Sequence, residues 1–294
     1  MMGCKTYKLV FQLESPLHIG WRKIGNLMQT RYYVPGRALW GSVTSILTRL
    51  KGDASYSKTG ALVKDHLRFG YFFPAKNIDQ PLYPKESPKG VVYGKEELLS
   101  KNFESEFINV AASTAISSES NAAEEASLHE VEFIKPTLES WQPVYLIGHL
   151  FVNDCQVIKV GNKDVEVLGF SLFSQVIASL QLGGERRYGF GRLKLCHDLC
   201  HLVEDVFGYP LHDGKNRFLV KVRCKKPILA HAAVAECDHL EGSIEPLVSR
   251  EWSARGPGRE VVQIGLCYTP GSIVNSNDEV TFTIGNYGIW YIQN

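Results

Sequence analysis

The segment Leu182-Gly-Gly-Glu-Arg-Arg-Tyr-Gly-Phe-Gly-Arg-Leu193 places four glycines, three arginines and two aromatic rings within twelve residues. Glycine reaches positive φ without steric cost and lets another backbone or a ligand approach closely. Such a run cannot sit inside a helix or a strand, so it must be a sharp connection between two elements. The sequence before it, Ser171 to Leu182, carries Leu172, Phe173, Val176, Ile177 and Leu180 at helical spacing. The sequence after it, Arg192-Leu-Lys-Leu195, alternates like a strand. A helix–loop–strand order is the reverse of the dinucleotide fingerprint, and no Gly-Lys-Ser/Thr follows to make a phosphate-binding loop of the nucleotidase type. Arginine forks suit phosphate and aromatic rings suit base stacking, so this loop points to the backbone of a nucleic acid. The competing structural reading is a turn with solvated arginines.

The chain supports that reading only locally. Its 294 residues are 44% apolar and 21% charged, with a net charge of +1. This is a globular composition with no polycationic character, so an anion site must be a local concentration of charge. No stretch reaches eighteen uninterrupted apolar residues, which argues against a membrane span. The start, Met1 to Lys8, leads into a strand and lacks the apolar core of a signal peptide. Seven scattered cysteines fit a reducing, cytoplasmic setting. No cofactor motif is present.

Along the chain, Lys8 to Leu13 reads as a strand ending at Ser15-Pro16, followed by a loop to Arg31. A helix then starts at Tyr33-Val-Pro-Gly36, with Leu39, Trp40, Val43, Ile46, Leu47 and Leu50 on one stripe and Gly52 as its cap. Residues 53–110 show no dominant period and read as an insertion with short strands. A polar, acidic hairpin or loop follows from Ser113 to Glu130, then strands at Val131–Ile134 and Pro143–Val152. The predicted fold class is α+β, a ferredoxin-like core resembling RNA-recognition modules, whose sheet face can serve as an RNA platform. This core spans 1–204, with its insertion at about 53–140. Residues 205–294 form a β-rich C-terminal extension. An echo of Ser15-Pro-Leu in Lys226-Pro-Ile, and of Tyr33-Val-Pro-Gly in Tyr268-Thr-Pro-Gly, leaves a degenerate second copy open.

Three segments occur in a telling order: Ser15-Pro-Leu-His-Ile-Gly20, Tyr33-Val-Pro-Gly-Arg-Ala-Leu-Trp-Gly-Ser-Val43 and the glycine–arginine loop. Together they resemble the RAMP superfamily of CRISPR-associated proteins, the RNA-binding subunits of type III effector complexes. Residues 114–134 also look like a stretch common in the backbone subunits of those complexes. The resemblance implies a ferredoxin-like fold and a guide (CRISPR) RNA as partner. It also implies neighbouring RAMP subunits, a polymerase-like large subunit and, in some members, target RNA. Target-cleaving members carry an aspartate in the loop between the first strand and first helix. Here Ser15 to Arg31 contains none, and the first aspartate is Asp53. The expectation is therefore a binding subunit, not an enzyme.

The candidate RNA contacts are Gly183, Gly184, Arg186, Arg187, Tyr188, Gly189, Gly191 and Arg192 in the glycine loop. To these are added His18, Arg22, Lys23 and Arg31 in the first loop, and Gly36 and Arg37 at the helix start. The free N–H groups of that helix start offer a phosphate site. Trp40 falls on the apolar stripe and reads as core. His18 beside Tyr32 and Tyr33 leaves open an alternative, processing of repeat RNA by acid–base cleavage. About 100 residues follow the glycine loop, however, whereas processing members carry it near their end. A third alternative is a protein-docking subunit whose RNA contact is incidental. Cys196-His-Asp-Leu-Cys-His201 invites a metal reading, but its spacing fits no ordinary zinc module and buried thiols are the simpler reading. Arg250 to Arg259 forms a second glycine–arginine cluster, with Pro257 and Gly258 marking a loop.

Overall fold

The computed structural model describes residues 5–52, 55–139, 141–153, 157–160, 163–166, 171–214, 217–236, 239–253 and 256–293. Its first sheet is centred on β1 (Lys5–Leu13), which pairs antiparallel with the strand Tyr145–Val152 from Lys5↔Val152 to Gln12↔Tyr145. On the other side β1 meets Arg192–Leu195, which in turn meets Ser179–Gln181. Beyond Tyr145–Val152 lie β4 (Leu67–Phe69) and β5 (Phe73–Ala75). Alternate residues of the central strands turn to opposite faces. Leu9, Phe11, Leu13, Leu146 and Leu150 face the helices in one core. Val10 and Ile147 face away into a second, smaller cluster.

α1 (Gly36–Lys51) buries Leu39, Val43 and Leu47 against that first core and ends at Gly52, whose φ of 75° makes the left-handed cap. The segment from Ser15 to Arg31 is more ordered than the loop expected. β2 (Gly20–Ile24) and β3 (Leu27–Thr30) form a hairpin whose turn uses Gly25 at φ 59°. Residues 53–110 also hold more than short strands. They include α2 (Tyr56–His66) and α3 (Ser100–Phe107). α2 escapes a periodicity search because its buried face is Thr59, Gly60 and Val63, which carry almost no apolar stripe.

The helix expected over Ser171–Leu182 is shorter. α4 covers Ser171–Val176, and Ser179–Gln181 is already a strand. Leu180 and Leu182 are buried while Ser179 is exposed, so these residues satisfy a period of two as well as they satisfy a helix. The acidic segment after the strand Ile108–Ser113 is a hairpin, returning along His129–Ile134.

The C-terminal part is an eight-stranded sheet. Its order is Asp205–Val206, Tyr209–Asp213, Phe218–Val222, Val280–Ile284, Trp290–Ile292, Ala232–Ala233, Gly256–Tyr268 and Ile244–Ser253. The last two form a long hairpin, and Pro257 and Gly258 lie inside it, not in a loop. The alternation of exposed and half-buried residues along Ile244–Ser253 is the strand signal that the Pro-Gly punctuation hides. Tyr33, Tyr71, Phe73 and Phe151 of the first part share a core with Phe218, Val220, Phe282 and Trp290 of the second. The two parts are therefore welded through the back of the first sheet. With Cys196, Leu199 and Phe207 also packed there, that face is not an open RNA platform. No helix among the described residues is long and apolar enough to cross a membrane.

Candidate nucleic-acid interface

The glycine loop connects two paired strands. Leu180↔Leu193 and Gln181↔Arg192 are in register, and the Leu182 N–H donates to the Gly191 carbonyl at 3.0 Å. Arg186–Tyr188 make one tight turn, entered through Glu185 at φ 52° and left through Gly189 at φ 87°. The Gln181 side-chain amide closes the loop by donating to the Arg186 and Phe190 carbonyls, both at 2.9 Å.

Three of the glycines are demanded by packing. A Cβ on Gly183 would stand 2.3 Å from the His18 carbonyl oxygen, and one on Gly191 only 1.8 Å from that of Leu182. Gly184 abuts the His18 ring, and its N–H donates to the His18 carbonyl at 2.9 Å. Gly191 N–H donates to Pro16, Arg192 N–H to Ser15 Oγ, and Glu14 N–H to the Arg192 carbonyl. The base of the loop is thus fixed to Glu14–His18. Only Gly189 has open space around it.

Several candidates are spent inside the fold. His18 is buried, and its Nδ1–H donates to the Glu132 carbonyl at 2.7 Å. Glu132 in turn accepts the Thr30 N–H at 2.8 Å, pinning β3 to the neighbouring strand. Gly36 is buried under the carbonyl oxygens of Phe69 and Tyr287, which stand 1.9 and 2.7 Å from where its Cβ would be. Gly36 itself is therefore covered by the chain's own backbone, while its neighbours Pro35, Arg37 and Ala38 line a cleft. Arg37 donates to Glu251 Oε1 at 2.8 Å with its guanidinium 4.5 Å from the Tyr287 ring. Arg31 donates to Tyr33 Oη and to Glu245 Oε1.

Glu245 is the centre of a half-buried network that the sequence did not announce. It accepts hydrogen bonds from Trp21 Nε1 at 2.8 Å, Arg31 Nη1 at 2.5 Å and His231 Nε2 at 2.6 Å. Tyr71 Oη donates to His231 Nδ1 at 2.6 Å. Burial alone would raise the Glu245 pKa, but the His231 and Arg31 hydrogen bonds and the Arg31 charge overcome it and hold the carboxylate down at about 2. Burial lowers the His231 pKa against the pull of Glu245, so His231 is a neutral imidazole that donates through Nε2 and accepts through Nδ1. This network ties the C-terminal hairpin to β2, β3 and the start of α1. A cleft of about 350 Å³ remains between them, reached by Gly20, Arg37, Trp40, Gly183 and Arg250.

The rest of the candidates form an exposed set. Arg186, Arg187, Tyr188 and Arg192 all project to solvent, with Tyr188 77% exposed. The three arginines make no side-chain hydrogen bond or ion pair among the described residues. On the adjoining β2, Arg22 lies 4.0 Å over the Trp21 ring and donates to Gln29 Oε1, while Lys23 is exposed. The Cys200 thiol donates to the Cys196 carbonyl at 3.3 Å, and burial raises the pKa of both thiols.

A model of the RAMP superfamily matches residues 10–194, which take in most of the first sheet, α1 to α4 and the glycine loop. No curated protein gives a significant match. Among solved structures, a chain of the type III-B Cmr-beta complex bound to cognate target RNA is similar at a TM-score of 0.54 and 14% identity. The match covers 91% of this chain and 86% of that one. A chain of the same complex with target RNA and AMPPnP is similar at 0.54 and 12% identity, covering 91% and 85%. At these identities the likeness is one of fold.

Proposed function

The chain belongs to the RAMP superfamily, and we propose that it is an RNA-holding subunit of a type III CRISPR effector complex. In this reading it grips the guide RNA through phosphate and does not cut it. The observation that carries it is a group of exposed cations with no ion pair among the described residues, Arg186, Arg187, Arg192, Arg22 and Lys23. The arginines of the loop stand on a mount fixed by backbone hydrogen bonds, with Tyr188 exposed beside them. Other RAMP subunits and a polymerase-like large subunit are the natural neighbours of such a chain.

The strand order supports a ferredoxin-like core. Arg192–Leu195, β1, Tyr145–Val152 and then β4 with β5 follow the fourth, first, third, second order of that motif, with α1 and α4 as its crossovers. The absence of aspartate between Ser15 and Arg31 supports binding without target cleavage. The burial of His18 and its bond to a backbone carbonyl weigh against the repeat-processing alternative, which needs an accessible acid or base.

Five single-strand phosphate contacts give a slope of log K against log salt of about −3.5. Replacing Arg186 and Arg187 with Ala should flatten that slope by about 1.4 and weaken binding about 10–30-fold near 0.1 M salt, with the melting temperature unchanged. A salt-insensitive affinity, or an unmoved slope in the double variant, removes this loop from the interface. One observation favours the protein-docking alternative: Ile244, Val248, Trp252, Val261 and Leu266 leave a large apolar share of the C-terminal hairpin exposed. RNA crosslinking with peptide mapping separates the two readings. Crosslinks at 183–192 support the guide-holding role, and crosslinks confined to other subunits of the complex support docking.

A further inference from the structure

The face of the first sheet that turns away from α1 borders a second cavity, of about 340 Å³, which no residue of the glycine loop lines. Its floor is the strand Tyr145–Val152, where Ile147 and His149 face it, and its far wall is the turn at Phe207–Gly208. The size lies at the small end of ligand clefts.

His149 is hard to explain as packing. It is 3% exposed, and its Nδ1 is buried with no hydrogen-bond partner. Burial, with Lys8 and His201 adding repulsion, lowers its pKa to about 3, so the ring is neutral. Its neighbours on the same face, Ile147 and Phe151, are apolar, and a phenyl ring at 149 would fill the space without an unmet polar atom.

Phe207 is the second anomaly. It has φ 54°, a conformation that favours glycine or asparagine and strains a bulky side chain. The strain holds its ring edge-on to His149 at 4.5 Å, with the Tyr83 ring 6.1 Å away. At the rim, exposed Lys95 makes no hydrogen bond or ion pair among the described residues. His201 donates through Nδ1 to the Leu199 carbonyl at 3.2 Å, which leaves Nε2 available. Lys8 is already bonded to the Ile78 carbonyl at 3.0 Å and stands 3.7 Å from Asp79. The cavity therefore combines an aromatic interior, one unmet imidazole and a mixed rim, in which Lys95 and His201 make no ion pair among the described residues while Asp79 faces Lys8 and Asp205 accepts the Gly208 N–H.

We propose that this cavity is a nucleoside-monophosphate site, its base against Phe207 and Tyr83 with an edge on His149, and its phosphate on Lys95 and His201. The same chemistry arrives as a free nucleotide or as a nucleotide turned out of an RNA strand. The site goes beyond the RNA grip and does not depend on it.

The test is calorimetric titration of the full chain with AMP, GMP, CMP and UMP. The expected result is saturable binding of at least one, one per chain. Lys95→Ala should weaken it about tenfold or more, the value of a charge-assisted hydrogen bond. His149→Phe should weaken it similarly, and Arg186→Ala with Arg187→Ala should leave it unchanged. If His149→Phe does not fold, movement of the His149 imidazole resonances during titration of the unmodified chain replaces it. Competition separates the sources. Displacement of bound oligonucleotide RNA by the mononucleotide identifies an everted nucleotide, and independent binding identifies a free one. No saturable binding up to about 5 mM of any of the four, or binding indifferent to both Lys95→Ala and His149→Phe, overturns the proposal.

Discussion

Replacing Glu245 with Ala tests whether the two parts of the chain are held together as the geometry indicates. The side chains of Arg31 and Glu245 are 12% and 14% exposed. The carboxylate satisfies three donors from three separate elements, Trp21, Arg31 and His231. Removing it leaves a guanidinium buried without its counter-charge, which costs about 3–5 kcal/mol. For one cooperative unit of this length, that lowers the melting midpoint by about 5–8 °C. Urea denaturation followed by tryptophan fluorescence measures it directly, because Trp21 loses its own partner in the same variant. The apolar pair Arg31→Met with Glu245→Leu should recover the part of the loss that comes from the orphaned charge, while Trp21 Nε1 and His231 Nε2 still lack an acceptor. The same carboxylate sets a pH dependence. Its pKa of about 2 in the folded chain lies below the ordinary 4.5, so its stabilisation is complete above about pH 4.5 and drains away as pH falls toward 2. Solvent screening reduces the contribution to the order of 2 kcal/mol. Glu251, lowered by Arg37 against the effect of burial, adds to the same acid limb. A Glu245→Ala chain within about 0.5 kcal/mol of the parent, or a double variant no better than the single, would refute the reasoning.

Further outcomes follow from the same geometry. Gly191→Ala should destabilise by about 2 kcal/mol or more, because φ is 78° and the new Cβ meets the Leu182 carbonyl, while Gly189→Ala at φ 87° in open space should cost about 1 kcal/mol. Chemical denaturation of the pair distinguishes packing from conformational demand. Tyr71→Phe should cost about 1–3 kcal/mol by leaving His231 Nδ1 buried without a donor, read as a lowered urea midpoint.

The parts of the fold legible in the sequence are those whose pattern has one interpretation. α1 carries a helical period and an unambiguous stop at Gly52, and β1 and Tyr145–Val152 are apolar runs of strand length buried on both faces. Ser179–Leu182 fails because leucines at 180 and 182 suit either period, and only pairing with Arg192–Leu195 decides it. α2 fails because it packs on α1 through a glycine against the Trp40 ring, a contact made by smallness and not by an apolar stripe. The candidate site divides in the same way. The glycine loop announces itself by composition. The commitment of Arg31 and Arg37 does not, since each finds its carboxylate 214 residues away, and an arginine that holds a hairpin reads in sequence like one that holds a phosphate.

That division assigns separate work to the two residue types that make the loop conspicuous. Gly183, Gly184 and Gly191 let its base touch the backbone of Pro16–His18 and Leu182, so they answer to the protein's interior. The arginines answer to solvent. Fixing the base while leaving the cationic tips free is what an efficient backbone grip requires. The mount is ordered when the chain folds, so less backbone entropy is lost when the ligand arrives. The long side chains retain the freedom to follow a backbone whose phosphates lie at no fixed spacing. Arg31 and Arg37, already paired with Glu245 and Glu251, do the opposite. Their charge is neutralised where they lie, and it ties the C-terminal hairpin to β3 and α1 without adding to the field of the free cations.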